Sequence, residues 1–178
     1  MLETINHTQT EILQQDIWYA IRTMARAEKK VEQRLIDKKI EVFLPQIEVV
    51  KVWSDRRKKV KVPLLPGYIF VKMNETVLNE IFYIQGIVDF VKFLGKPAKV
   101  HGYELENIRI LSTNPAEYQA INNIDLKEGE DITIDYGPFA GLTGKFVKSK
   151  GKFRIIVQIQ ALGKQFEVNV PTAYLKLD

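Results

Sequence analysis

The chain has 178 residues, 46% of them hydrophobic, and no cysteine. That composition supports a packed core in one large domain or two small ones, and excludes a disordered chain, a disulfide framework and a thiolate metal site. The net charge of +4 is uneven: residues 1–111 carry 18 Lys/Arg against 14 Asp/Glu, and residues 112–178 carry 8 against 8. Attraction to nucleic acid therefore belongs to the front part, and an excess this small predicts contact assisted by a protein partner rather than tight independent binding. No apolar run approaches a membrane span, and the first residues lack the basic start and apolar core of a secretory signal, so a cytoplasmic location is expected.

Residues 1–16 read as a polar tail. Ile17-Trp18-Tyr19-Ala20-Ile21 is a short apolar run that predicts a central strand. Met24, Ala27, Val31 and Leu35 then recur at three- and four-residue steps among charged neighbours, which predicts an amphipathic helix ending near Lys39. Val42 to Pro45 opens a second strand, continued by Ile47 to Trp53. Ser54 to Lys59 reads as a polar hairpin tip, with Val60 to Val62 returning. Pro63 to Gly67 is a rigid connector before the strand Tyr68–Met73. Asn74 is placed to cap a helix running to about Ile84, with Val77, Leu78, Ile81 and Phe82 inward. Gly86 ends it, Val88 to Leu94 forms a strand, and Tyr103 to Leu111 a last short helix. This order implies an α+β sandwich with a mainly antiparallel sheet over residues 17–111.

Residues 112–126 show no sustained period and read as a linker. Residues 127–178 are nearly all β in pattern, with strands expected at 131–135, 143–148, 153–160, 164–170 and 175–177. Five short strands in so few residues fit a small SH3-like β-barrel. Between the first two, Gly137-Pro138 punctuates a turn, Phe139 is an apolar anchor, and Gly141 and Gly144 sit where backbone bends or approaches closely. The β-branched runs Ile155 to Val157 and Val168 to Val170 favour lasting β structure over refolding into helix.

The segment Gly129 to Val147 resembles the KOW motif. Trp18-Tyr19 opening a strand before a basic helix, and Pro66-Gly67-Tyr68-Ile69-Phe70-Val71, resemble the N-terminal domain of NusG-type transcription elongation factors. Order and spacing agree over residues 17–178. Phe43-Leu44-Pro45, Pro63-Leu64-Leu65-Pro66 and Val88 to Phe93 also resemble the specialised RfaH-type paralogues of polysaccharide operons, while Gly67 follows the general factors. The resemblance implies a non-enzymatic elongation or antitermination factor. Its N-terminal domain would bind the clamp helices of RNA polymerase and touch the non-template DNA strand. Its KOW domain would recruit a second factor such as ribosomal protein S10 or Rho. A KOW-type RNA-binding or ribosome-associated protein is the alternative, against which the neutral charge of residues 112–178 argues.

Candidate sites follow from pattern and resemblance together. Tyr68 and Phe70 share one strand face, and with Leu65, Trp18 and Arg22 they are the expected polymerase contacts; the competing reading is ordinary core. Arg26, Lys30 and Arg34 recur at four-residue steps, away from the apolar stripe, and with Arg56, Arg57 and Lys58 of the hairpin tip they are the expected DNA contacts. Solvated charge, with Glu28 and Glu32 beside the helix row, is the competing reading. Leu162 and Lys164, in a turn expected to expose Leu162, are the candidate contacts of the KOW partner. The only histidines are His7 and His101, and the chain has no phosphate-binding glycine loop before a Lys-Ser/Thr helix. Neither an enzyme nor a cofactor is expected.

Overall fold

The computed structural model describes residues 16–53, 56–114, 118–121, 129, 131–135, 137–149 and 152–169. The tail before residue 16, Ser54-Asp55 and the strand expected at 175–177 lie outside the described residues. The chain divides into two compact units, Met1–Leu44 with Leu65–Val100, and Pro45–Leu64 with His101–Asp178.

In the first unit, β1 (Ile17–Thr23) is the central strand. It pairs antiparallel with β5 (Tyr68–Met73) on one side, and on the other with β6 (Ile87–Phe90) and β9 (Lys99–Val100). β2 (Glu41–Phe43) adds to the far edge of β5. Alternation splits the sheet into two faces. Tyr19 and Ile21 of β1 join Ile69, Val71 and Met73 of β5 on the face that packs on helix α1 (Glu28–Asp37) and a 3-10 helix (Glu75–Tyr83). Val31, Leu35, Leu78, Ile81 and Ile84 complete that core.

Local structure departs from the sequence reading at both helices. Met24 is 58% exposed, not buried, because the chain turns before the helix starts. The Met24 N–H donates to Gly86 O, and Arg26 has φ +62. The second helix is 3-10 rather than α. Its three-residue repeat aligns Leu78, Ile81 and Ile84 on the core and leaves Val77 and Phe82 exposed. Asn74 caps it as expected, its Oδ1 accepting from Thr76 N–H at 3.0 Å. The expected strand from Val88 to Leu94 stops at Phe90. The chain then forms a separate small hairpin of β7 (Lys92–Phe93) and β8 (Lys96–Pro97).

In the second unit, β3 (Gln46–Val52) and β4 (Arg57–Pro63) form a two-stranded ribbon, closed at its base by Leu64 N–H to Pro45 O. Pro45 separates β3 from β2, so the run from Val42 to Trp53 serves two different sheets. Helix α2 (Gly102–Thr113) buries Leu105, Ile108 and Leu111 as its spacing predicts. The remaining strands are β10 (Tyr118–Ile121), β11 (Asp131–Thr133), β12 (Thr143–Ser149), β13 (Lys152–Ile159) and β14 (Lys164–Asn169). They form one antiparallel sheet in the order β10-β14-β13-β12-β11. β10 falls within the stretch read as a linker and pairs with β14, Ala120 opposite Phe166. The loop between β11 and β12 buries Ile134, Phe139 and Leu142 and is closed by Ile134 N–H to Leu142 O at 2.9 Å. Gly144 marks a close approach: a Cβ there would lie 2.6 Å from both the Ile155 side chain and Ile156 O. The molecule is thus a mixed α/β fold with antiparallel sheets and a strand-rich C-terminal part.

Candidate partner and nucleic-acid surfaces

The connector before β5 is a tight turn. Tyr68 N–H donates to Leu65 O at 3.1 Å, Pro66 occupies the second position, and Gly67 the third with φ +80. That is a type II turn, whose third residue needs the left-handed region open to glycine. Gly67 is held on both sides: its carbonyl accepts from Thr23 N–H at 2.9 Å, and its N–H donates to Glu28 Oε1 at 2.8 Å. The turn thereby fixes where Tyr68 enters the sheet.

Register does the rest. Trp18 is opposite Lys72, Ala20 opposite Phe70, and Arg22 opposite Tyr68, while Phe43 of β2 is opposite Phe70. These residues alternate with the helix-side core, so Trp18, Arg22, Tyr68, Phe70 and Phe43 share the face away from α1 and the 3-10 helix. Phe43 and Phe70 stack with ring centroids 6.1 Å apart. Accessibility is graded. Phe70 is fully buried and Leu65 is 2% exposed, whereas Tyr68 and Trp18 are half-buried and Arg22 is exposed. Of the Tyr68/Phe70 pair, only Tyr68 presents an edge.

The basic row at four-residue spacing does not form. Arg26 precedes α1 in a left-handed turn. Lys30 is exposed on the helix. Arg34 turns toward the 3-10 helix, donating to Gln85 O and, at 3.1 Å, to Gln85 Oε1. Glu28 is 6% exposed and bound to Gly67, not part of a solvated charged face.

In the second unit, Arg57 and Lys58 lie in β4 rather than at a loop tip, and Arg56 closes the turn through Trp53 N–H to Arg56 O at 2.8 Å. Lys51 is directly opposite Lys58, and Lys59 pairs with Glu48 at 2.9 Å, an ion pair that holds the Lys59 ammonium above its ordinary value. The ribbon is therefore basic, with exposed Val52 and Trp53 near its turn.

Leu162 ends a 3-10 turn (Gln160–Leu162) before β14 and is half-buried, not exposed; Lys164 begins β14 and is exposed. The turn is bound by a residue the sequence reading passed over. Glu104 of α2 is fully buried, and its Oε1 accepts from Gln160 N–H at 2.6 Å and Ala161 N–H at 3.4 Å. Its Oε2 accepts from His101 N–H at 2.8 Å, completing a capping box. Asn107 adds paired hydrogen bonds to Thr143, and Asn114 Nδ2 donates to Pro138 O at 2.7 Å. The spacing His101 to Glu104 is the one sequence signal for this junction.

Asp89 of β6 lies opposite Arg22. A hydrogen bond from Lys92 Nζ at 2.7 Å is the main cause that lowers its carboxyl below the ordinary value, with Arg22 contributing least. Among the described residues no cluster of His, Asp and Glu is arranged to hold a metal, and no helix is long and apolar enough to cross a membrane.

Comparison with known proteins places this arrangement. A sequence model of the family described as "Transcription termination factor nusG" matches residues 16–109, just over half of the chain. The transcription termination/antitermination protein NusG of Staphylococcus epidermidis is 27% identical over 168 residues, covering 86% of this chain and 91% of that protein. Its counterpart in Staphylococcus aureus is 26% identical over the same length and shares. A solved structure described as "Domain interaction in Thermotoga maritima NusG" is 22% identical, with a TM-score of 0.47 and coverage of 91% of this chain and 97% of that one. By the span of the family match, the chain belongs to the NusG family of transcription termination and antitermination factors.

Proposed function

We propose that this protein is an elongation and antitermination factor that binds the clamp helices of RNA polymerase through the face of its first sheet turned away from α1 and the 3-10 helix. The observation that carries this reading is the register that gathers Trp18, Arg22, Tyr68 and Phe70 beside Phe43 on that face. A half-buried aromatic rim over buried apolar backing is the usual composition of an interface centre. Tyr68 and Trp18 supply the accessible edge, Phe70 and Leu65 the backing, and Arg22 a charged border. In the first unit Arg26 and Lys30 attract the phosphates of the non-template DNA strand, and in the second unit Arg56, Arg57 and Lys58 of the basic ribbon do so independently. The second unit recruits a further factor, ribosomal protein S10 or Rho, near Leu162 and Lys164.

The test is the affinity of the full chain for purified bacterial core RNA polymerase. Tyr68→Ala is expected to weaken binding at least tenfold while circular dichroism stays that of the parent. Unchanged affinity removes this face from the contact.

A further inference from the structure

After β6 the chain makes a hairpin that joins no other sheet, with Phe93 opposite Lys96 and Leu94-Gly95 as its two-residue turn. Leu94 has φ +50 and Gly95 φ +78. Two successive positive angles are those of a type I′ turn, whose first position favours Asn, Asp or Gly. Leucine there is strained, and it is 88% exposed, with Phe93 beside it 72% exposed. Folding gains little from either apolar side chain, so two unfavourable choices coincide at one tip. The base of the hairpin is firmly fixed: Val91 N–H donates to Ala20 O and Ala98 N–H to Val91 O, both at 2.8 Å.

We infer that the Phe93–Leu94 tip is a second docking point, a knob that enters an apolar recess with an acidic rim on RNA polymerase. This rests on the polymerase-binding reading above. Continuity and charge select that occupant. The hairpin is pinned to the backbone carbonyl of Ala20, between Trp18 and Arg22 in β1. Arg22 faces Asp89, and Asp89 holds Lys92 at the start of the hairpin. Lys96 is exposed directly across from Phe93, placing positive charge beside the apolar tip. A nucleic-acid strand would use Phe93 for stacking but has no use for Leu94.

Leu94→Asn tests this in the full chain, because Asn-Gly is the preferred pair for the turn and folding improves rather than suffers. The expected result is an unfolding midpoint at or above the parent's and about tenfold weaker binding to core RNA polymerase. Lys96→Glu is expected to weaken binding about threefold. Parental affinity in Leu94→Asn, with Tyr68→Ala still weakened, overturns the knob and leaves the sheet-face reading standing. Loss of binding to a single-stranded DNA 20-mer with polymerase affinity intact overturns it in favour of strand binding. A parent chain that fails to bind polymerase overturns both readings.

Discussion

Glu28 Oε1 accepts a hydrogen bond from the Gly67 N–H at 2.8 Å, across 39 residues of sequence. A buried carboxylate at the first turn of α1 thus positions the backbone that delivers Tyr68. Removing the acceptor strands a part-buried amide. Glu28→Ala is expected to cost about 1–3 kcal/mol of stability in urea unfolding, and Glu28→Gln less, because its amide oxygen still accepts. Equal stability of Glu28→Ala and the parent would show that the turn holds itself.

Two glycines separate backbone strain from steric conflict. A Cβ on Gly67 meets nothing within 4 Å, so Gly67→Ala bears only the cost of φ +80, roughly 1–2 kcal/mol. A Cβ on Gly144 meets Ile156 O at 2.6 Å, and a strand carbonyl has little room to retreat. Gly144→Ala is expected to cost more than Gly67→Ala, about 3 kcal/mol or above, with loss of the β12–β13 pairing in hydrogen exchange.

Lys30 and Arg34 should part company. Arg34 holds Gln85, so Arg34→Ala is expected to lower stability by about 1–2 kcal/mol. Exposed Lys30 does not, so Lys30→Ala should keep the parental unfolding curve and weaken binding to a single-stranded DNA oligonucleotide, most visibly at low salt. A Lys30→Ala chain with unchanged DNA affinity at every salt concentration takes that helix out of the DNA surface.

Asp89 gives the molecule a small acid sensitivity. Its folded-state pKa lies below the ordinary 3.8, chiefly through the Lys92 hydrogen bond. The stabilisation is therefore complete above that unfolded value and is lost as pH falls through the depressed one. At a partly exposed site it amounts to less than about 1 kcal/mol. Unfolding of Asp89→Asn compared with the parent between pH 2 and pH 6 should show a gap that closes at the acid end.

Patterns carried by side-chain type were legible in the sequence; patterns carried by backbone turns were not. The apolar run of β1, and the spacing of Leu105, Ile108 and Leu111, report burial directly, and the structure follows them. The start of α1 is not legible, because Met24 and Ala27 continue the apolar period, while the hydrogen bond from Met24 N–H to Gly86 O that ends it spans distant residues. Likewise, Arg34 at helical spacing looks solvated until Gln85 is brought beside it. Glu28 reads as surface charge and Glu104 carries no signal of its role, because only the folded backbone supplies the amides they bind. That Tyr68 and Phe70 share one face was legible, since parity within a strand is a sequence property; that Trp18 and Arg22 share it depends on the β1–β5 register, which is not. The burial of Phe70 is not, because parity says which face a residue takes and nothing of how deep it lies.

The pairing of Tyr118–Ile121 with β14 bears on how this protein is cut for experiments. A fragment beginning after residue 126 would leave the amide and carbonyl row of Lys164–Asn169 without its neighbour. Such a bare edge invites pairing with another copy of itself, so truncated material would tend to self-associate or precipitate. Fragments starting ahead of His101 retain both that neighbour and the Glu104 bonds, and should remain monomeric in light scattering.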